Sequence, residues 1–402
     1  MTRAAGTVIV VGTGLAGLRT AETLRAQGFE GRVILVGEEK HLPYERPALS
    51  KELLAGKRSA EQVMLRKPEF FEQEQIEIVL GRRVERIDAE RRMVLLDDGR
   101  ELRWDALVIA TGARARQMRG LEPPASVLHL RTLSDSIALS EELARGKRLA
   151  VVGAGFIGVE VASTAVSLGL DVTILEPARA PLERVLGTEV GALLAERYRA
   201  HRVDLRLGAV VADFSAGEDG HVRAVRLADG SEVACDVALV GIGAEPAGEL
   251  LGVGEIATDA SGRTALPDVY ACGDVASTWR QSLGQRVRVE HWTNAAGQAA
   301  AVARTILGEE SVHDDVPFFW SDQFGLRLQH VGFASEWARV EIEGGTDAFS
   351  ARYLDRDGQL LAALAANRPG EIAALRRELK SNARASVEHR SARELRPALA
   401  LP

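Results

Sequence analysis

The 402-residue chain has only two cysteines, Cys235 and Cys272, far apart in sequence. Two lone thiols exclude a disulfide framework and a cysteine-rich zinc site. Long apolar runs are missing too, and none approaches the ~20 residues that cross a bilayer. The first apolar stretch, Thr7 to Val11, ends in glycines and lacks the length and cleavage site of a signal peptide. Positive charge is in deficit: 50 Lys and Arg stand against 57 Asp and Glu, a net −7. That balance argues against nucleic acid as the main partner while allowing a local basic patch. The expectation is a cytoplasmic protein with no membrane, nucleic-acid or metal partner. Its length exceeds one ordinary core and suits two or three domains. A composition 46% hydrophobic and 27% charged is that of a globular enzyme.

Glycine, by contrast, is present in a pattern. Val8 to Val11 is a β-branched run that predicts a buried parallel strand. Gly12, Gly14 and Gly17 follow in G-x-G-x-x-G spacing, and Leu15 to Arg25 has helical apolar spacing. Such glycines permit a tight turn, let backbone approach a pyrophosphate and let helix pack on strand. A second strand, Arg32 to Val36, leads into Gly37 and Glu38, an acid placed to bind a ribose hydroxyl. The unit then recurs. Arg148 to Val152 reads as a strand; Gly153, Gly155 and Gly158 repeat the spacing; Val159 to Leu168 is helical; and Asp171 to Leu175 ends at Glu176. Each copy has its own glycines and acid, which favours two bound dinucleotides and hydride exchange between them. Glu176 favours NADH, because a carboxylate there accepts from a 2′-hydroxyl and repels a 2′-phosphate. Arg179 close by weakens that preference.

Further segments carry a resemblance. They are Trp104 to Gly112 (WDALVIATG), Val269 to Val275 (VYACGDV) and Pro43 to Lys51 (PYERPALSK). With the two glycine signatures, they resemble the flavoprotein disulfide-reductase superfamily, which binds FAD first and NAD(P)H second. Tyr44 to Lys51, Val289 to Asn294 (VEHWTN) and Pro317 to Gln323 (PFFWSDQ) narrow the resemblance to the NADH-dependent ferredoxin reductases of bacterial oxygenase systems. The implied fold class is α/β. It has two Rossmann-like, glutathione-reductase-like dinucleotide-binding domains and a C-terminal α+β domain. The resemblance implies an FAD domain at 1–113 and 241–316, an inserted NADH domain at 114–240 and a C-terminal domain at 317–402. Disulfide reductases carry a cysteine pair beside the flavin, and NADH peroxidases carry one cysteine near Leu49, Ser50 and Lys51. This chain has neither, so electrons should leave straight from the flavin. Cys272 reads as a small buried residue.

The resemblance assigns FAD binding to Gly12, Gly14, Ala16, Gly17, Glu38, Arg46, Lys51, Val84, Thr111, Arg131, Asp274 and Trp292. It assigns NADH binding to Gly153, Gly155, Ile157, Gly158, Glu160, Glu176 and Gly243. Arg46 suits a pyrophosphate as a planar fork. Asp274 suits ribityl hydroxyls. A helix starting near Thr293 or Asn294 would aim its positive end at the flavin pyrimidine edge. Lys51, Glu160 and Trp320 are expected nearest the chemistry. The lysine and glutamate would neutralise one another and orient the nicotinamide amide, and the tryptophan would stack on flat cofactors. Phe318 or Phe319 is expected in the core. The pattern is broken at Pro246-Ala247, where the family has Pro-Asn. Gly252 to Thr264 is short, and Ser381 to Pro402 reads as polar and irregular.

The resulting expectation is an FAD-dependent oxidoreductase passing electrons from NADH to an iron–sulfur ferredoxin. That ferredoxin would supply a cytochrome P450 or a Rieske-type ring-hydroxylating oxygenase, with the reductase a monomer or weak dimer. Two alternatives stay open. One is a reductase of rubredoxin or another one-electron acceptor; the other is an NADH-sensing interaction protein resembling apoptosis-inducing factor. Ferredoxins are generally acidic, so docking on a chain of net −7 calls for a local patch. Arg280, Arg286, Arg288, Arg304 and Arg327 are the candidates.

Overall fold

The computed structural model describes residues 6–394, with side chains described through Asn382. Seven α-helices lie among the described residues: α1 Leu15–Ala26, α2 Pro68–Gln73, α3 Leu133–Arg145, α4 Phe156–Ser167, α5 Glu183–Ala200, α6 Trp292–Ile306 and α7 Pro369–Glu394. None is long and apolar enough to cross a membrane.

The first glycine signature belongs to a five-stranded parallel sheet. Its order is Val269–Ala271, Ala106–Ile109, Thr7–Val11, Arg32–Gly37 and Ile76–Leu80. These strands are short β-branched and aliphatic runs because both faces are covered. α1 and α6 pack on one face through Leu18, Leu24, Ala299 and Val302. On the other face Ile9, Val11, Ile34 and Val36 meet Val94, Leu96 and Trp104. Gly12 turns the chain at φ +116°, and a Cβ there would lie 2.1 Å from the Ala110 carbonyl oxygen. At Gly17 a Cβ would lie 1.9 Å from the Gly12 carbonyl oxygen, so only glycine lets α1 start this close to its strand.

The second signature repeats the construction. Its parallel sheet runs Asp204–Leu207, Asp171–Glu176, Arg148–Val152, Val237–Val240 and Val127–Leu128. Here Gly158 has the role of Gly17, its Cβ position lying 2.2 Å from the Gly153 carbonyl oxygen. Where the chain passes from one sheet to the other and back, Ala113–Ala115 pairs antiparallel with Ala244–Pro246.

A third, antiparallel sheet follows in the order Phe318–Gln323, Leu326–Gly332, Leu360–Ala366, Ala348–Leu354 and Arg339–Gly345. One face is closed by Ile372, Leu375 and Leu379 of α7. The opposite face shares a core with α5: Leu328, Phe349 and Tyr353 cluster with Leu186, Val190 and Leu194. Tyr353 Oη also donates to the Leu186 carbonyl at 2.9 Å. The third sheet is thus fastened to the half of the molecule that carries the second glycine turn. The stretch from Ser381 was expected to be irregular, yet α7 continues through Glu394. Arg, Ala and Glu are good helix formers, and neither Gly nor Pro interrupts them. Residues 395–402, and the corresponding end of the expected C-terminal domain, lie outside the described residues.

Candidate active site

The carboxyl ends of the first sheet open into a cavity of about 1720 Å³ that reaches α4 and the strand Phe318–Gln323. Open parallel sheets leave a crevice at this edge, where the loops diverge. Among the residues expected at the flavin, Gly12, Gly14, Ala16, Glu38, Arg46, Lys51, Val84, Thr111, Arg131, Asp274 and Trp292 all line it. Ile157, Glu160 and Trp320 line it as well. Gly17 does not; it packs α1 against the strand behind the wall.

Ion pairs organise the wall. Arg131 Nη2 lies 2.6 Å from Asp274 Oδ2, and Arg131 Nε donates to the Ala113 carbonyl at 2.9 Å. The strand Val269–Ala271 stops short of Asp274, which sits in the turn beyond it. Arg46 donates to Glu39 Oε1 and to the Arg131 carbonyl, each at 2.6 Å. Tyr44 also takes part, donating to Glu39 and accepting from the Leu133 N–H at 3.0 Å. Burial holds the Tyr44 phenol well above its ordinary value, so it stays neutral. Thr111 Oγ1 donates to the Ala247 carbonyl at 2.6 Å.

Lys51, on the loop after Ala48, and Glu160, on α4, come together on the cavity wall. Lys51 Nζ is 3.1 Å from Glu160 Oε1, and Glu160 is only 5% exposed. Ser50 Oγ and Ser321 Oγ also donate to this carboxylate, each at 2.6 Å. Burial raises the Glu160 pKa above the ordinary carboxylate value, while Lys51 and the two hydroxyls oppose that rise.

An aromatic and imidazole wall faces this pair. Phe319 lies between two histidine rings, 4.6 Å from His291 and 4.9 Å from His330 between centroids. Phe318 and Trp320 stack at 6.3 Å. Of the two phenylalanines, one of which was expected in the core, Phe318 is half-buried and packs against the core beneath α7, whereas Phe319 lines the cavity. Their strand stays paired with Leu326–Gly332 along its whole length, but it is the edge strand of its sheet and so borders the cleft. Desolvation pushes His291 down to about 4 and His330 to about 3, so both rings are neutral. α6 begins at Trp292, slightly earlier than expected, with His291 at its N-cap.

The second glycine turn lies outside this cavity, as do Glu176 and Gly243. Gly155 caps α4 with no side-chain hydrogen bond, as Gly14 caps α1, leaving the first helical N–H groups for an anion. Glu176 Oε2 accepts the Ala154 N–H at 2.6 Å and Oε1 accepts the Ala178 N–H at 2.9 Å. Arg179 is committed to Glu183 at 3.0 Å.

Both cysteines are free thiols in the core. Burial raises Cys235 to about 11 and Cys272 to about 12, which keeps them from forming thiolates. One docking candidate is corrected. Arg280 is 1% exposed, and its guanidinium donates to the His313 carbonyl at 2.9 Å and to Asn294. It serves the interior and cannot meet a partner. Arg288 is ion-paired with Glu255 and Glu290, and Arg327 with Asp322, whereas Arg304 is exposed on α6.

Several residues at the site were not foreseen: Glu39, Ser50, His291, Phe319, His330 and Arg184 line the cavity, and Tyr44 and Ser321 back it through bonds to Glu39 and Glu160. Ser50 beside Lys51 and Ser321 beside Trp320 were within reach, since each adjoins a residue already chosen. Glu39 and His330 carry no local signal. Three buried imidazole nitrogens, His129 Nε2, His291 Nδ1 and His330 Nδ1, have no hydrogen-bond partner, and all three residues line the cavity. A long polar and aromatic ligand such as FAD fits such a wall, with uncapped helix starts for phosphate and unpaired ring nitrogens for polar edges.

The chain matches the pyridine nucleotide-disulphide oxidoreductase family over residues 6–299 and the reductase C-terminal family over residues 318–398. It is 38% identical over 390 residues to the ferredoxin–NAD(+) reductase component of the p-cumate 2,3-dioxygenase system of Pseudomonas putida, covering 95% of this chain and 94% of that one. It is also 38% identical to the corresponding component of the biphenyl dioxygenase system of Paraburkholderia xenovorans (strain LB400), covering 95% of each. The crystal structure of a covalent putidaredoxin reductase–putidaredoxin complex superposes with a TM-score of 0.90 at 35% identity, covering 94% of this chain and 93% of that one. The chain therefore belongs to the pyridine nucleotide-disulphide oxidoreductase family, with a reductase-type C-terminal domain.

Proposed function

We propose that this chain is an FAD-dependent NADH:ferredoxin reductase. It passes electrons from NADH to a small iron–sulfur ferredoxin that supplies a cytochrome P450 or a ring-hydroxylating oxygenase. The observation that carries this reading is the single cavity joining the first glycine turn to Ile157, Glu160 and Trp320, while both thiols are buried elsewhere. Bound flavin supplies the chemistry that takes up a hydride and returns electrons one at a time. Gly12, Gly14 and the start of α1 hold its pyrophosphate, with Arg46 nearby. Glu38 holds the adenosine ribose. The Arg131–Asp274 pair presents carboxylate oxygens to ribityl hydroxyls. The start of α6 at Trp292, which lines the cavity, would favour negative charge on the pyrimidine edge of a bound flavin.

On the other side, Gly153, Gly155 and Gly158 seat the NADH pyrophosphate on α4, and Glu176 takes the ribose near Gly243. Lys51 and Glu160 orient the nicotinamide amide, and Trp320 stacks over the flat rings and excludes water. This orientation is the protein's main contribution, since hydride transfer requires face-to-face approach rather than an acid or base. Residues 1–113 with 241–316 form the flavin half, 114–240 the NADH half and 317–402 the C-terminal domain. The working environment is the cytoplasm, and the working state a monomer or weak dimer. Anaerobic stopped-flow mixing with NADH should bleach the flavin quickly, and cytochrome c reduction should then require an added ferredoxin. A long-lived charge-transfer species with no ferredoxin turnover across a panel would overturn the reading.

A further inference from the structure

Every hydrogen bond around Glu160 runs toward its carboxylate. From α5, Tyr198 Oη donates to Gln323 Oε1. Gln323 Nε2 donates to Ser321 Oγ at 3.1 Å, and Ser321 Oγ donates to Glu160 Oε1 at 2.6 Å. From the loop, Ser50 Oγ donates to Glu160 Oε2 at 2.6 Å. Lys51 is the one cation within ion-pair distance of Glu160 among the described residues. Both donor segments are pinned to α4 beside Glu160. Thr164 Oγ1 donates to the Ser50 carbonyl at 2.7 Å, and the Phe324 N–H donates to Ser163 Oγ at 2.7 Å. Ser50, Ser321, Gln323 and Tyr198 are all buried, so these donors are fixed by the fold around the carboxylate. Donors aligned in series polarise one another and favour an anion at the end of the chain.

We propose that Ser50 and Ser321 are positioning residues for the reaction with NADH, holding Glu160 as an oriented carboxylate and thereby fixing the pH below which NADH stops engaging. The inference rests on the reductase reading above. The facing groups are Lys51 and Ser50 on the loop, Ser321 and Gln323 on the strand, and Tyr198 on α5. Burial keeps Tyr198 neutral, so it contributes as a donor. Burial raises Glu160, and the hydroxyls oppose that rise. Removing a hydroxyl removes opposition, so protonation begins at higher pH. Once Glu160 is protonated, Lys51 loses its partner and the nicotinamide amide loses an acceptor. The acid limb of kcat/KM for NADH should therefore move upward in pH, with little change on the alkaline plateau.

The test uses flavin-loaded enzyme as wild type, Ser50→Ala, Ser321→Ala and Glu160→Gln. Anaerobic flavin reduction by NADH is followed from about pH 5 to about pH 9, alongside an infrared titration of the protonated carboxyl band without NADH. Each serine variant should move both the limb and the band midpoint up by roughly one pH unit, a tenfold lower kcat/KM on the acid side. Glu160→Gln should lack the band and the limb. If Glu160→Gln lacks both but the serine variants titrate like wild type, the positioning role fails while the reductase reading stands. A limb that survives in Glu160→Gln also overturns the proposal. A wild-type flavin that NADH never reduces at any pH overturns the reductase reading instead. Should Ser321→Ala fail to retain flavin, Ser50→Ala decides the outcome alone.

Discussion

Glu176 Oε2 accepts the backbone N–H of Ala154 at 2.6 Å, so the acid that ends its strand also clasps the second glycine turn. A 2′-phosphate brought to this site would meet a carboxylate fixed by two backbone donors and unable to swing away. Wild type should therefore show the higher kcat/KM with NADH. Glu176→Ala should raise the NADPH-to-NADH ratio roughly tenfold, from the loss of about 1.4 kcal/mol of repulsion. Absolute rates should fall with both nucleotides, because the glycine turn loses its clasp. Steady-state kinetics with each nucleotide checks this, and a wild type that prefers NADPH removes the assignment.

The thiols should be dispensable. Cys272 is fully buried, near Thr20 Oγ1 at 3.7 Å, and Cys235 is fully buried beneath the second sheet. Cys235→Ala and Cys272→Ala should keep flavin reduction and ferredoxin turnover, alone and together. A double variant that binds FAD yet no longer turns over would reveal a sulfur relay.

Acid should destabilise the fold through its buried imidazoles. His291, His313 and His330 fall from an ordinary 6.5 to about 4, 4 and 3. Unfolded, each ring takes a proton below pH 6.5; folded, each stays neutral until lower pH. The unfolded chain thus binds more protons, and stability falls as pH drops from 6.5 toward 4. The upper figure is roughly 3–5 kcal/mol per ring. Melting temperature against pH measures the slope, which should lessen in His313→Gln.

Arg280 should matter for stability rather than docking. Its guanidinium ties the strand Ala276–Arg280 to Asn294 on α6 and to the His313 carbonyl. Arg280→Met leaves the buried His313 carbonyl without this donor and Asn294 Oδ1 with only His313 Nε2, at a cost of about 1–3 kcal/mol. The expected result is a lower melting temperature with weaker flavin retention, because α6 loses a brace near its first turn. An unchanged melting temperature would show that the segment repacks without it.

Ferredoxin docking is best tested at the exposed cations. Arg304→Glu and Arg327→Glu, neither on the cavity wall, should raise KM for ferredoxin severalfold, most strongly at low salt. NADH-to-ferricyanide activity should stay intact. If neither KM nor its salt dependence changes, the ferredoxin docks on another face.

Both dinucleotide folds were legible in sequence because their constraints are local. Gly17 and Gly158 must lack a Cβ where helix meets strand, and Glu176 ends its strand as the glycine spacing led one to expect. The pairing of Lys51 with Glu160 was anticipated only through the family resemblance, and the structure brings the two to 3.1 Å. Arg280 was misjudged because an arginine in a polar stretch reads as solvated. Its burial depends on the His313 carbonyl, far along the chain. One of Phe318 and Phe319 was expected in the core; Phe318 packs there, and only the fold shows that Phe319, next to it, borders the cleft. Ser50 and Ser321 are ordinary serines until α4, the loop and the third sheet bring them to one carboxylate. Sequence by itself determined the two Rossmann units and the residue types at their ends, because backbone geometry there admits few alternatives. Only the tertiary structure decided which polar side chains are buried together, because desolvation and hydrogen-bond direction depend on elements that the chain brings into contact from afar.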